Sequence, residues 1–351
     1  MFNFRQYPNM TKAIIPNSIN LSSSSFSNFF SNMTSLTNVE IPSEKITSMK
    51  YAFYGCTSLT GSPVCGDNVT DMYRAYAGCT NLTGSPVCGD NVTNMPFAYD
   101  SCINLTGSPV CGDNVLQMEG AYSRCFNLSG TAACGSNVTN MDYAYNGCTN
   151  LTIAACGPNV SNMKATYRDC TNLTIAACGP NVAGMNYTYQ NCSSLTTAVC
   201  GDLVGRMEYA YQNCSNLTTA VCGNRVYDMT YTYSCCPNLT TAVCGPNVNI
   251  LFATYYESPN IRGNAYFYSP NISDASMCFG HRDRSQMLNI YVPANSTSYN
   301  SLFGTSHPYT LVTNAITWTN DATNNVCYNA YFNIYVYPVE NVAAARAANG
   351  D

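Results

Sequence analysis

One segment of this sequence recurs at a fixed interval along most of the chain. The segment begins at Met49 with the letters MKYAFYGCTSLTGSPVCGDNV. It restarts every 23 residues at Met72, Met95, Met118 and Met141, and then every 22 residues at Met163, Met185, Met207, Met229 and Leu251. A fixed period of roughly 20–50 residues is typical of a solenoid, in which each unit stacks on its neighbours. The sequence therefore predicts a stack of similar coils.

Each repeat combines two kinds of apolar periodicity. Between Met141 and Cys148, apolar residues lie at positions i, i+3, i+4 and i+7, which predicts a helical turn with one apolar face. From Leu151 to Ala155 the apolar residues alternate, which predicts a short strand. The segment Gly157–Asn159 then supplies a turn signal. We therefore predict that each coil is a helical turn followed by a short strand.

The regular repeats do not extend over the whole chain. Residues 1–25 form a polar lead-in that we expect to cap the first coil, and residues 26–276 form the solenoid. The charged run CFGHRDRSQ after Met277 predicts an exposed loop, and the alternation in 288–293, 315–318 and 330–336 predicts strands. We therefore expect a small β-rich C-terminal cap at 277–340, followed by a mobile or weakly helical tail at 341–351.

Composition excludes several classes of protein. Only 9% of the residues are charged and the net charge is -5, which argues against nucleic acid as a partner. No apolar run is long enough to predict a membrane span. The N-terminus lacks a basic segment followed by an apolar core, so we predict no secretory signal.

The cysteines follow the repeat rather than a disulfide framework. The chain has 21 of them, an odd number, and each regular coil carries two. Zinc is disfavoured because eight residues separate Cys56 from Cys65 and no C-x-x-C pair exists. Buried free cysteines pack as small apolar side chains, although some disulfides remain an alternative. We predict a structural thiol ladder formed by Cys56, Cys79, Cys102, Cys125, Cys148, Cys170, Cys192, Cys214 and Cys236.

The repeat resembles the BspA-like branch of the leucine-rich repeats. The first junction carries the resemblance: LTNVEIP from Leu36, then ITSM from Ile46, then AFYGCTSL from Ala52. Later coils depart from it, because Val-Cys or Ala-Cys replaces the Ile-Pro at the end of the strand. The resemblance covers roughly residues 26–272. It implies a leucine-rich-repeat solenoid that is rich in β-structure and curved, with a binding or scaffolding role rather than catalysis.

Candidate catalytic and metal-binding residues are few. The two histidines, His281 and His307, show no recognised spacing to a nucleophile and an orienting group, so we predict no active site and no cofactor. Asp67, Asp90 and Asp113 occupy the same turn position in successive coils. Calcium could relieve their mutual repulsion, but later coils lack the aspartate, so hydrated turn carboxylates are the favoured interpretation and no metal site is predicted.

Aromatic residues give the best indication of a binding surface. The aromatic of the helical apolar face, such as Tyr145, is expected in the core, whereas the residue two positions earlier lies off that face. Such residues should point outward on the convex side, where they could pack on another chain or neighbouring repeats, contact a ligand, or have no specific role. We name these six candidates the outer aromatic file: Tyr51, Phe97, Tyr143, Tyr187, Tyr209 and Tyr231.

These features give three hypotheses for function. The first is a bacteriophage virion component, a fibre or host-recognition appendage, because a protein without an export signal could leave the cell inside a virus particle. The second is a microbial cell-surface adhesin of the BspA-like kind, and the third is a carbohydrate-active enzyme. The expected partners are other virion or surface proteins, a host surface protein or glycan, and further copies of this chain.

Overall fold

The computed structural model describes residues 4–16, 25–294, 319–321, 326–329 and 333–350. They belong to two compact units, Met1–Val182 and Ala183–Asp351. In each unit the chain winds in coils that stack in parallel. In the first unit, parallel bridges join Ser25 to Ser48 and continue coil by coil to Asn162; in the second they run from Gly184 to Asp274. The predicted solenoid is confirmed.

Regular strands in the coils are short. In the first unit β1 pairs in parallel with β2, and β3 with β4. The second unit contains a six-stranded sheet in the order β5-β6-β7-β10-β9-β8. The strands are β1 (Lys12–Ile14), β2 (Asn38–Glu40), β3 (Gly130–Thr131), β4 (Leu151–Ile153), β5 (Val243–Cys244), β6 (Gly263–Phe267), β7 (Leu288–Pro293), β8 (Thr319–Asp321), β9 (Val326–Asn329) and β10 (Ile334–Val339).

Helices are a small part of the described chain. Two 3₁₀-helices span Phe4–Gln6 and Ser43–Lys45. One α-helix, α1, spans Val342–Ala348, and the side chain of Asn341 caps its N-terminus by accepting a hydrogen bond from the Ala344 N–H. The helix therefore lies in the segment expected to be a weakly helical tail. The predicted strand at 315–318 lies outside the described residues.

The segment with helical spacing is a series of tight turns rather than an α-helix. Its N–H groups alternate between two kinds of partner: the Ala52 N–H donates to the Met49 carbonyl at 2.8 Å, whereas the Phe53 N–H donates to the Ala75 carbonyl of the next coil at 2.8 Å. Two positions per coil have a left-handed backbone, for example Tyr51 at φ 55° and Gly55 at φ 69°. A residue in this conformation ends a helix, so the repeated pair prevents one from forming.

The predicted apolar face is nevertheless the core of the coil. Met141, Ala144, Tyr145 and Cys148 are each 0% exposed. The core aromatics stack from coil to coil, with the rings of Tyr99 and Tyr122, for example, 5.5 Å apart and nearly parallel. Turn and strand therefore enclose one continuous line of rings within each unit.

The coil pattern continues past the expected boundary at 276. The Tyr255 N–H donates to the Cys278 carbonyl at 2.9 Å, and the Phe279 ring stacks on Tyr255 with centroids 5.5 Å apart. Arg282 then occupies the cysteine position and is only 5% exposed, so the charged run is not an entirely exposed loop. Its guanidinium is tolerated because it donates hydrogen bonds to the carbonyls of Ile261, Gln286 and Asn333.

Candidate binding surface

The outer aromatic file lies at the first left-handed position of the turn segment. All six of its residues have φ between 51° and 60° and are half-buried. The same position holds Asn28, Arg74, Gly120 and Ala165 in other coils, with the same sign of φ. The backbone conformation therefore belongs to the fold rather than to the aromatic side chain. Bulky residues are disfavoured there, since left-handed backbone costs an L-residue roughly 1–2 kcal/mol.

In the second unit three members of the file pack against one another. The ring centroids of Tyr187 and Tyr209 are 4.8 Å apart with an interplanar angle of 4°, and those of Tyr209 and Tyr231 are 5.0 Å apart at 12°. The edge of Phe252 then meets Tyr231 at 5.4 Å. Because the rings stack face to face, the edges and hydroxyl groups remain for a partner. Stacked pairs of this kind each stabilise by about 0.5–1.5 kcal/mol.

In the first unit other residues interrupt the file. Tyr51 meets Tyr73 edge-on at 5.3 Å, and the guanidinium carbon of Arg74 lies 4.6 Å from the Phe97 ring centroid. Gly120 replaces the next aromatic, and beyond it Lys164 lies 5.8 Å from the Tyr143 ring centroid. Phe97 and Tyr143 are therefore paired with cations, a favourable contact for an aromatic face, whereas Tyr51 meets another tyrosine.

A cleft opens beside this interruption. Its volume is about 450 Å³. The Arg124 Nη2 lies 3.0 Å from each carboxylate oxygen of Asp100 at its edge. The cleft is lined by Arg74, Phe97, Asp100, Glu119, Ser123, Arg124, Tyr143 and Asn146.

The predicted thiol ladder consists of buried hydrogen-bond donors. The Cys148 Sγ donates to the carbonyl of Tyr122, a core aromatic of the preceding coil, at 3.0 Å. Ser258 occupies the same position one coil after Cys236 and donates through Oγ to the equivalent carbonyl of Tyr233 at 2.8 Å. Burial raises the pKa of the Cys148 thiol to about 12, so it keeps the proton that it donates. All nine thiols of the ladder are 0% exposed.

The second cysteine of each coil explains why glycine follows the corresponding cysteine in the next coil. The Cys156 Sγ lies 3.5 Å from the Met163 Sδ and accepts a hydrogen bond from the Gly179 N–H at 3.1 Å. A Cβ on Gly179 would lie 2.8 Å from that Sγ and 2.8 Å from the Gly157 carbonyl oxygen. The Cys-Gly pair therefore recurs because each thiol packs on the glycine of the following coil. The repeat pattern alone does not predict this contact, although the fixed spacing of the Cys-Gly pair is a signal for it.

Three side chains of types that are common in active sites lie close together in the second unit. Cys235, Glu257 and His281 occupy the second left-handed position in successive coils. The Cys235 Sγ lies 3.4 Å from Glu257 Oε2, and the His281 Nδ1 lies 3.6 Å from Glu257 Oε1. Partial burial and the Glu257 carboxylate raise the pKa of Cys235 to about 11, whereas a nucleophilic thiol needs a lowered pKa. The arrangement therefore does not suit nucleophilic catalysis.

The turn aspartates point to solvent. Asp67, Asp90 and Asp113 are exposed. Their backbone carbonyls accept hydrogen bonds from the side chains of turn asparagines one coil later; Asn91 Nδ2, for example, lies 2.7 Å from the Asp67 oxygen. Within the described ranges, no group of three or more His, Cys, Asp or Glu side chains is placed to hold a metal ion. No helix in this part of the chain is long and apolar enough to cross a membrane.

Stacked parallel coils with a buried leucine, such as Leu151, and a line of core aromatics define a leucine-rich-repeat solenoid. The family described as BspA type leucine-rich repeat region matches in 6 copies, over residues 1–129, 139–262 and 184–282. The chain belongs to this family, as its resemblance at the first junction predicted.

Two solved structures are similar to this chain, and the first of them supports the fold. A leucine-rich repeat protein from Bacteroides ovatus is 16% identical with a TM-score of 0.56, and the match covers 81% of this chain and 79% of that one. A leucine-rich cell surface protein from Faecalibacterium prausnitzii is 20% identical with a TM-score of 0.47, over 82% and 83% of the two chains. Comparison with curated protein sequences found no match.

Proposed function

We propose that this protein is a non-enzymatic binding protein of the cell-surface adhesin kind, and that the outer aromatic file contributes its contact surface. Membership of the BspA-type family supports a binding or structural role. The expected bacteriophage virion role finds no support in the comparisons, and the adhesin alternative is the one compatible with them. The adhesin hypothesis therefore takes first place.

One observation carries the choice of surface: bulky aromatics occupy a left-handed position that the fold also fills with asparagine or glycine. Asn28 and Gly120 adopt this conformation with less strain than Tyr187 does. A tyrosine at a strained, half-exposed position indicates that its side chain has a role other than stabilising the fold. Tyrosine brings a large apolar area and a polar tip, which suit a protein or glycan partner.

Packing within the file is the competing explanation. The contacts of Tyr209 with Tyr187 and Tyr231 offset part of the backbone strain in the second unit. Phe97 differs, because it has no aromatic neighbour at Gly120 in the next coil and its ring instead meets the Arg74 guanidinium, 4.6 Å from the ring centroid. A second copy of this chain carries an outer aromatic file with the same repeat spacing. Self-association through this surface therefore remains a prediction.

The test is adhesion by the purified full chain. Fluorescently labelled protein is added to bacterial and epithelial cells and to immobilised matrix glycoproteins. The variant carries Tyr187→Asn, Tyr209→Asn and Tyr231→Asn, because asparagine is compatible with the left-handed backbone. The matched control is Tyr7→Asn, since Tyr7 is 60% exposed and lies outside the file.

We expect the parent and the control to bind alike and the triple variant to bind at least roughly tenfold more weakly, a loss of about 1.4 kcal/mol. Thermal unfolding of all three proteins establishes that they are folded. Equal binding by the triple variant would overturn the role of the file. If the parent adheres to none of these surfaces, the proposed function is overturned.

A further inference from the structure

The cleft in the first unit lies beside a coil that carries glycine at the outer position. In successive coils the outer position holds Arg74, Phe97, Gly120 and Tyr143, all with left-handed φ. A Cβ on Gly120 would lie 2.4 Å from Phe97 Cε1, so the Phe97 ring lies across the glycine. Phe97 and Tyr143, one coil on either side of Gly120, both line the cleft.

The dimensions of the cleft suit a small ligand. Its volume of about 450 Å³ lies within the range of about 300–1,000 Å³ that is typical of ligand sites. Phe97 and Tyr143 supply two aromatic surfaces, and Asn146 and Ser123 add uncharged polar groups. The combination of aromatic surfaces with a few convergent polar groups favours a ligand that has both apolar and hydroxyl-bearing sides.

The charges around the cleft balance. Arg74 and Arg124 carry two positive charges, and Asp100 and Glu119 carry two negative ones. Arg124 already pairs with both oxygens of Asp100 at 3.0 Å, so the pair presents little net charge. An anionic or cationic ligand would therefore gain little from the local field, whereas a neutral polar ligand is not penalised.

The polar groups are of the kind that recognise neighbouring hydroxyls. A carboxylate accepts through two oxygens, a guanidinium donates through a planar fork, and the Asn146 amide does both. The C–H groups on one side of a hexose ring are weakly positive and complement the negative face of an aromatic ring. We propose that this cleft binds a neutral hexose residue of a glycan.

This proposal rests on the proposed binding function, but it concerns a different part of the surface from the tyrosines tested above. The probe is a microarray of neutral and acidic glycans, followed by calorimetric titration of the purified full chain with the neutral oligosaccharide that binds best. Two variants address the cleft: Tyr143→Asn removes an aromatic wall, and the Cβ added by Gly120→Asn would lie 2.4 Å from Phe97 Cε1, so that ring must move. Tyr7→Asn is the matched control, because it makes the same change at an exposed tyrosine that lies outside both the cleft and the outer aromatic file.

We expect neutral hexose glycans to bind the parent and the control, and each cleft variant to weaken binding by at least roughly tenfold. Melting temperatures of the variants establish that they are folded. Binding of no glycan, binding of acidic glycans only, or unchanged binding in both cleft variants would overturn the proposal. None of these results decides the adhesion experiment, which depends on the second unit.

Discussion

In the interior coils the cysteine position carries a small side chain that donates a hydrogen bond. Ser258 donates to the same kind of carbonyl as the Cys148 Sγ, and its bond is shorter, 2.8 Å against 3.0 Å. A hydroxyl therefore replaces the thiol without loss of the contact. In both coils this side chain forms a hydrogen bond to the backbone carbonyl of the core aromatic in the preceding coil.

Cys148 allows a direct test of this interpretation. Cys148→Ala removes the donor to the Tyr122 carbonyl and leaves a small void, so we expect a loss of about 1–2 kcal/mol in the free energy of unfolding. Cys148→Ser keeps a donor and should cost less than the alanine variant. Chemical denaturation of both variants under reducing conditions gives the two values. Equal losses in both would show that the thiol acts by volume alone.

At the scale of the structural element, the end of the stack needs a different solution from its interior. Arg282 takes the cysteine position of the last coil and reaches the carbonyls of Ile261, Gln286 and Asn333 at 3.2, 2.6 and 3.2 Å. Asn333 immediately precedes β10, and β10 pairs in parallel with β7. One buried side chain therefore joins the last coil to the sheet that follows it.

Removal of this side chain should loosen the C-terminal sheet. Arg282→Ala deprives three carbonyls of a donor, and we expect a loss of about 2–4 kcal/mol. Hydrogen–deuterium exchange should become faster in β7 and β10, because these strands depend on the contact. The control is Arg262→Ala: Arg262 is exposed, so its loss should change stability by no more than about 0.5 kcal/mol. Unchanged exchange in the Arg282 variant would contradict the capping role.

At the scale of the whole molecule, the repeat period predicted the coils because one residue pattern must satisfy the same contacts in each of them. It did not predict the left-handed backbone of the outer aromatic file, because Arg74, Gly120 and Tyr143 share that conformation and residue type alone does not specify it. A signal was present at the second left-handed position, where Gly55 and Asn191 are residue types that tolerate positive φ. The cleft was not predicted either, because its lining comes from side chains of several coils whose arrangement depends on how the coils stack.

The buried thiols also make the stability of the molecule depend on alkaline pH. Burial raises the pKa of Cys56 and Cys236 to about 12, whereas an unfolded thiol titrates near about 8.5. Above that lower value the unfolded chain releases protons that the folded chain retains. Each fully buried thiol then lowers the free energy of unfolding by about 1.4 kcal/mol per pH unit, and its contribution is lost as the pH approaches the folded value.

Because burial raises the pKa of eight thiols of the ladder, the effect should be large and begin below the pH at which exposed tyrosines ionise. We expect the melting temperature to be steady near neutral pH and to fall steeply from about pH 8.5 upwards, in the presence of a reductant. Ultraviolet absorbance of the thiolate should stay low in the folded protein at a pH where it is high in denaturant. Recovery of the melting temperature on return to neutral pH excludes chemical damage. A melting temperature that stays constant to about pH 10 would show that the unfolded thiols do not determine stability in alkali.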